Sequence, residues 1–158
     1  MNKIIYVIWV VARPFYRLSA RLFRPVTLGV RGLVFDGAGR VLLVRHSYTP
    51  GWYFPGGGVD RGETGFDSIK RELDEEAGVL LKSKPQLLGL YANFREFRSD
   101  HIAFYLIEAG QYDLVARHSL EIAEYDFFAL DALPQGVTPA TRARLEEFQQ
   151  GSPVPDFW

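Results

Sequence analysis

Residues Gly56–Val79 read GGGVDRGETGFDSIKRELDEEAGV. Three glycines, a capping threonine, an acidic amphipathic segment and a closing glycine follow one another without a break. Thr64 with Asp67 three residues on is close to a capping box, and Gly78 suits the left-handed position that ends a helix. Between them Phe66, Ile69, Leu73 and Ala77 share one helical face. Glu72, Glu75 and Glu76 gather on a neighbouring face, centred roughly 110° away. The predicted helix therefore buries one stripe and presents three carboxylates on another. Like charges at this spacing repel by roughly 0.2–0.5 kcal/mol per pair. Either water and nearby Lys70 and Arg71 offset them, or a hard cation gathers them. Mg²⁺ or Mn²⁺ takes oxygen ligands of this kind and bridges to phosphates.

The rest of the chain sets the frame for that helix. Its 158 residues, 47% apolar, suit one domain with a real core. The absence of cysteine excludes disulfides, thiolate metal sites and a cysteine nucleophile, and it agrees with a cytoplasmic setting. The net charge of −1 conceals an asymmetry: five of the 18 basic residues and none of the 19 acids lie in residues 1–24. The remainder thus carries 13 basic residues against all 19 acids. An acidic body argues against a nucleic-acid partner, and one that handles an anionic substrate would need metal ions as mediators.

Residues 1–24 have an apolar run, Ile4–Ala12, too short to span a bilayer and not followed by a signal-cleavage pattern. Ile4, Ile8, Val11, Phe15, Leu18 and Leu22 recur at helical spacing beside an arginine stripe. The pattern predicts an extra N-terminal helix that covers its apolar stripe with its own domain or a homodimer partner. The weaker alternative is peripheral contact with a membrane. From Pro25 the pattern becomes stranded. Val26–Asp36, the turn Gly37–Gly39 and Arg40–His46 predict a β-hairpin. Tyr48–Gly58 predicts a short aromatic strand between breakers. Leu87–Phe94, His101–Ala109 and Glu124–Leu130 predict further strands, and Thr138–Gln150 a second helix opened by Thr-Pro. Strands and helices around one core make a mixed α/β protein, divided as a basic segment 1–24 and a body 25–158.

The glycine–helix stretch resembles the signature of the Nudix hydrolases. Gly57, Glu63, Arg71, Glu72, Leu73, Glu75, Glu76, Gly78 and Val79 match it at every spacing. At average residue frequencies such a match arises by chance on the order of once in ten million chains of this length. The resemblance implies an α/β/α sandwich with a mixed sheet between helices. It also implies Mg²⁺-dependent hydrolysis (Mn²⁺ as a substitute) of a nucleoside diphosphate linked to another group. In that reading Glu72, Glu75 and Glu76 are metal ligands, with Glu72 also a candidate base. A carbonyl of the glycine turn, Gly56, is a further candidate ligand. Glu63 and Arg71 form a supporting pair, since a guanidinium can fork onto a carboxylate and tie loop to helix. Glu121 and Glu124 stand where the family often supplies an acid from outside the signature, and the sequence does not choose between them. The alternative of a Nudix-fold binding domain without catalysis sits poorly with an intact set of acids.

Arg45, Trp52 and Tyr53 are candidates for holding the substrate, by charge and by stacking; His46, Arg95 and Arg98 stand nearby. Core packing competes for Trp52 and Tyr53, and solvation for the cations. Neither a Pro nor a Tyr occupies the positions around Phe94 that the family associates with ADP-ribose or dinucleoside polyphosphates, which argues against both.

Overall fold

The computed structural model describes residues 26–95 and 99–158. The N-terminal helix expected in residues 1–24 and Arg98 lie outside the described residues. The elements run β1 (Thr27–Val34), β2 (Val41–His46), α1 (Gly65–Ala77), β3 (Val79–Leu81), β4 (Gln86–Ala92), β5 (Asp100–Ile107), β6 (Tyr112–Leu114), β7 (Ile122–Phe128) and α2 (Pro139–Gln150). Sheets of order β1-β5-β4, β2-β7 and β3-β6 result; β1 runs parallel to β5, and the other pairs are antiparallel.

Alternation along the strands makes two cores, one on each side. Val30 and Val34 of β1, Ala103 and Ile107 of β5, and Leu42 and Val44 of β2 pack with Ile69, Leu73 and Ala77 of α1. Leu33, Val41, Leu43 and Phe104 point the other way, with Trp52, Phe54 and Leu145 of α2. The expected α/β/α sandwich with a mixed sheet is thus the observed architecture. Helix α1 comes so close to β1 that a Cβ on Gly32 would press on Leu73 Cδ2 at 3.1 Å and Ile107 Cδ1 at 3.3 Å. Among the described residues no helix is long and apolar enough to cross a membrane.

The expected hairpin is corrected in an instructive way. Its turn is real: Asp36 Oδ1 accepts from Ala38 N and Arg40 N, both at 2.9 Å. Beyond one bridge, Phe35 to Val41, the two strands part. The segment after β2 comes between them. Tyr53 exchanges both main-chain bonds with Val44 at 2.9 Å, and Pro55 O and Gly57 O then accept from Gly32 N and Val30 N of β1. The short aromatic strand therefore crosses from β2 to β1, taking the edges the two strands would have offered each other. It delivers Gly56–Gly58 beside α1.

Candidate active site

Helix α1 is built as its sequence directs. Thr64 Oγ1 accepts from Asp67 N at 3.1 Å, Asp67 Oδ2 accepts from Thr64 N at 3.2 Å, and Gly78 ends the helix at φ 65°. Its last turn holds Glu75 and Glu76 and no basic residue. Carboxylates there face the negative end of the helix dipole, an unfavourable position worth roughly 0.3–1 kcal/mol each when exposed.

Glu76 is buried, 7% exposed, and its Oε2 accepts a 2.7 Å bond from Gly56 N. Burial pushes its pKa up to about 7; the Gly56 N–H and Arg31 oppose this, while Glu72 and Glu121 add to it. Burial also raises Glu72, against the pull of Arg71. The Glu72 carboxylate lies against Gly57, where any Cβ would overlap it, and a Cβ on Gly56, at φ 137°, would overlap Val30 O. These two glycines let backbone and carboxylates share one small space.

Arg71 does what the sequence reading expected of it, and more. Nε and Nη2 fork onto Glu63 at 2.9 and 3.0 Å, while Nη1 reaches Glu72 at 2.7 Å and Glu75 at 3.3 Å. The fork holds the Glu63 carboxyl at about 2, far below the usual range. Loop, helix and two of the three acids are thereby tied to one guanidinium.

Arg31 was not singled out from the sequence. Its Nη1 donates to Gly56 O and, at 3.3 Å, to Val30 O. The carbonyl read as a further metal ligand is therefore engaged by a cation of the protein's own. Its signal was a lone charge in the apolar strand TLGVRGLV. His46 stands in the same surroundings, its Nδ1 buried without a partner; burial, then Arg31, lower its pKa.

A cleft of about 690 Å³ opens beside the glycine turn. Arg31, His46, Tyr53, Gly57 and Arg95 are among its walls. Two expected substrate residues are elsewhere. Trp52 is buried in the second core, edge-on to Phe128 at 4.9 Å, because strand alternation sends Trp52 and Tyr53 to opposite sides. Arg45 pairs with Glu124 at 2.7 Å on the surface. Of the two acids outside the signature, Glu121 adds to the upward push on Glu76, and Glu124 lines a small depression together with Glu76.

Among the described residues no three acids or histidines already converge on one point; Glu72 and Glu75 are turned to Arg71, and Glu76 to Gly56 N. The donor set nonetheless fits a hard cation. Three carboxylates lie in the C-terminal half of one helix, and the buried one has its negative charge opposed by its surroundings.

Fold and site together define a class, hydrolases of phosphoanhydride bonds built on a three-layer α/β/α frame. The chain belongs to the NUDIX family, whose domain matches residues 25–148. A candidate 8-oxo-dGTP diphosphatase of Bacillus subtilis (strain 168) is 28% identical over 128 residues, covering 80% of this chain and 82% of that protein. An RNA pyrophosphohydrolase of Psychrobacter cryohalolentis is 36% identical over 76 residues, 48% of this chain and 42% of that protein. The MutT NUDIX hydrolase from Burkholderia pseudomallei superposes with a TM-score of 0.62 at 30% identity, over 78% of this chain and 98% of that one.

Proposed function

We propose that this protein is a Mg²⁺-dependent pyrophosphohydrolase of nucleotide-type diphosphates, with Mn²⁺ able to substitute. The observation that carries the reading is Glu76: a carboxylate buried at the dipole's negative end, with Glu72 and Glu75 on the same helix, and bonded to a glycine turn that borders the cleft. Glu72, Glu75 and Glu76 would hold the cation. When bound, it neutralises charge on the phosphate oxygens and the leaving group. Arg71 orients Glu72 and Glu75, and Arg31 and Arg95 give the cleft a positive lining for the remaining phosphate charge, with the neutral ring of His46 beside them. Glu121, rather than Glu124, takes the proton of the attacking water, because Arg45 already engages Glu124. No covalent nucleophile is needed.

The two relatives suggest two substrate classes, a free nucleoside triphosphate and a 5′-phosphorylated RNA end. The excess of acids in residues 25–158 favours the small nucleotide. The chain also spans under half the length of the RNA enzyme it matches. Residues 1–24, which precede the family segment, would serve as an attachment device, packing on their own domain or a second copy of the chain in preference to a membrane surface.

A release assay for phosphate and pyrophosphate, over nucleoside triphosphates, nucleotide sugars and triphosphorylated RNA with and without Mg²⁺, tests the reading. Metal-dependent turnover of a nucleotide is expected. Turnover confined to RNA ends would move the substrate class, and no turnover of any member would defeat the proposal.

A further inference from the structure

The family segment ends at residue 148, but the chain does not leave the body there. After α2 it returns to the free edge of β4. Ala92 N donates to Asp156 O at 2.7 Å and Trp158 N donates to Ala92 O at 3.0 Å, around a parallel bridge from Ala92 to Phe157. Buried Arg144 secures this return: its Nη1 donates to Phe157 O at 2.9 Å, and its guanidinium lies 5.4 Å from the Trp158 ring centroid and 4.7 Å from that of Tyr91. Trp158 stands steeply against Phe104 and Tyr91, at 5.2 and 5.3 Å between centroids, and against Phe54 at 6.3 Å.

This is more than a plug for the second core. Trp158 is only partly buried, and the surface it keeps lines the 690 Å³ cleft that Gly57, Gly58 and Arg31 also line. The register explains the shared space. Arg31 on β1 is paired with Phe104 on β5, and Trp158 packs on Phe104. Neighbouring strands are about 4.8 Å apart, so Phe104, on which the indole packs, lies one strand spacing from Arg31. A sugar phosphate can bridge such a span. A cationic, glycine-lined end and a rigid indole in one cleft match the two ends of a nucleotide.

We propose that Trp158, carried back by residues 152–157, is the base-binding wall of the cleft, the aromatic surface on which the substrate's heterocycle packs. This rests on the nucleotide reading above. It adds that selectivity for the base comes from a segment outside the family's own domain. Base–aromatic contacts tolerate many bases, because each has a π-face, so the wall selects for a heterocycle more than for its identity.

The test compares the full chain with Trp158→Ala and Trp158→Phe, using a nucleoside triphosphate that the wild type hydrolyses. Methylenediphosphonate, which carries phosphates and no base, serves as competitive inhibitor. Trp158→Ala is expected to raise KM for the nucleotide roughly ten- to hundredfold, with kcat and the inhibition constant of methylenediphosphonate unchanged; Trp158→Phe should recover most of the loss. In parallel, a nucleoside 5′-monophosphate should quench the wild type's tryptophan emission, ribose 5-phosphate should not, and the quench should vanish in Trp158→Phe. Equal weakening of nucleotide and methylenediphosphonate would mean that the segment only supports the fold, and would overturn the inference. So would a quench that survives in Trp158→Phe. Should Trp158→Ala fail to fold, the Trp158→Phe quench decides alone. A wild type inert on every nucleotide defeats the nucleotide reading itself, and this inference with it.

Discussion

The two helices of the described chain are built alike and used differently. Each opens on a threonine whose hydroxyl accepts from the third residue on, and each closes on a left-handed glycine, Gly78 at φ 65° and Gly151 at φ 60°. Each buries one charged side chain, Glu76 in α1 at 7% exposure and Arg144 in α2 at 5%. The compensation differs. Arg144 has Glu147, the Phe157 carbonyl and two aromatic faces around it. Glu76 has one backbone N–H and the charge of Arg31, set against the charges of Glu72 and Glu121. A buried charge that is matched on most sides holds a structure together. One left short of countercharge is poised to take a ligand.

The contrast is most exposed to test at Glu76. Glu76→Gln and Glu75→Gln should each lower kcat by at least about a hundredfold, with circular dichroism showing a folded protein. Near-normal turnover of either at low Mg²⁺ would show that the cation is held elsewhere. At Arg144 the expected loss is of stability. Arg144→Ala leaves Glu147 without its partner and frees the returning segment, at a cost of about 3 kcal/mol in urea unfolding. An unchanged midpoint would erase the difference between the helices.

The third expectation concerns pH. In metal-free protein Glu76 binds its proton more tightly folded, at about 7, than unfolded, near the ordinary value of 4.5. Its contribution is therefore complete below pH 4.5 and is lost as pH rises through 7, amounting to about 3 kcal/mol. Urea melts in a chelator should show this decline, and Glu76→Gln should flatten it. A slope identical in the variant would assign the decline to other groups.

Arg71→Ala sharpens the picture from the side of support. It removes the group that aims Glu72 and Glu75, so activity should fall roughly 10–100-fold. The melting temperature should fall too, since Glu63 loses its fork. Unchanged melting would show that the fork adds no stability. The smallest effects belong to what the helices share. Thr64→Ala and Thr138→Ala should each cost about 1 kcal/mol, and two equal losses would confirm that the caps are interchangeable while the buried charges are not.

Much of this was legible in the residue order because it is local. Caps, the amphipathic face of α1, the Glu63–Arg71 fork and the three acids depend on spacings within 24 residues, and helical geometry converts spacing into position directly. The fold class followed from the same stretch. What failed was whatever depended on a distant partner. The hairpin read from Val26–His46 survives only at its turn, because the edges of β1 and β2 are claimed by Tyr53, Pro55 and Gly57. Trp52 went to the core and Tyr53 to the cleft, a choice set by which side of the sheet each faced. Arg45 met Glu124 across a strand pair that no local pattern announces.

By itself, then, the sequence determined a capped helix with three carboxylates behind a glycine turn, and through them the family and its chemistry. Only the tertiary structure decided that Glu76 is buried and that Arg31 takes the Gly56 carbonyl. It alone brought Trp158 back into the cleft. The physical reason is the same in each case. Burial and long-range pairing are properties of the packed chain, set by contacts between residues far apart in sequence, such as Arg45 with Glu124 and Phe54 with Trp158, and neighbours in sequence carry no record of them.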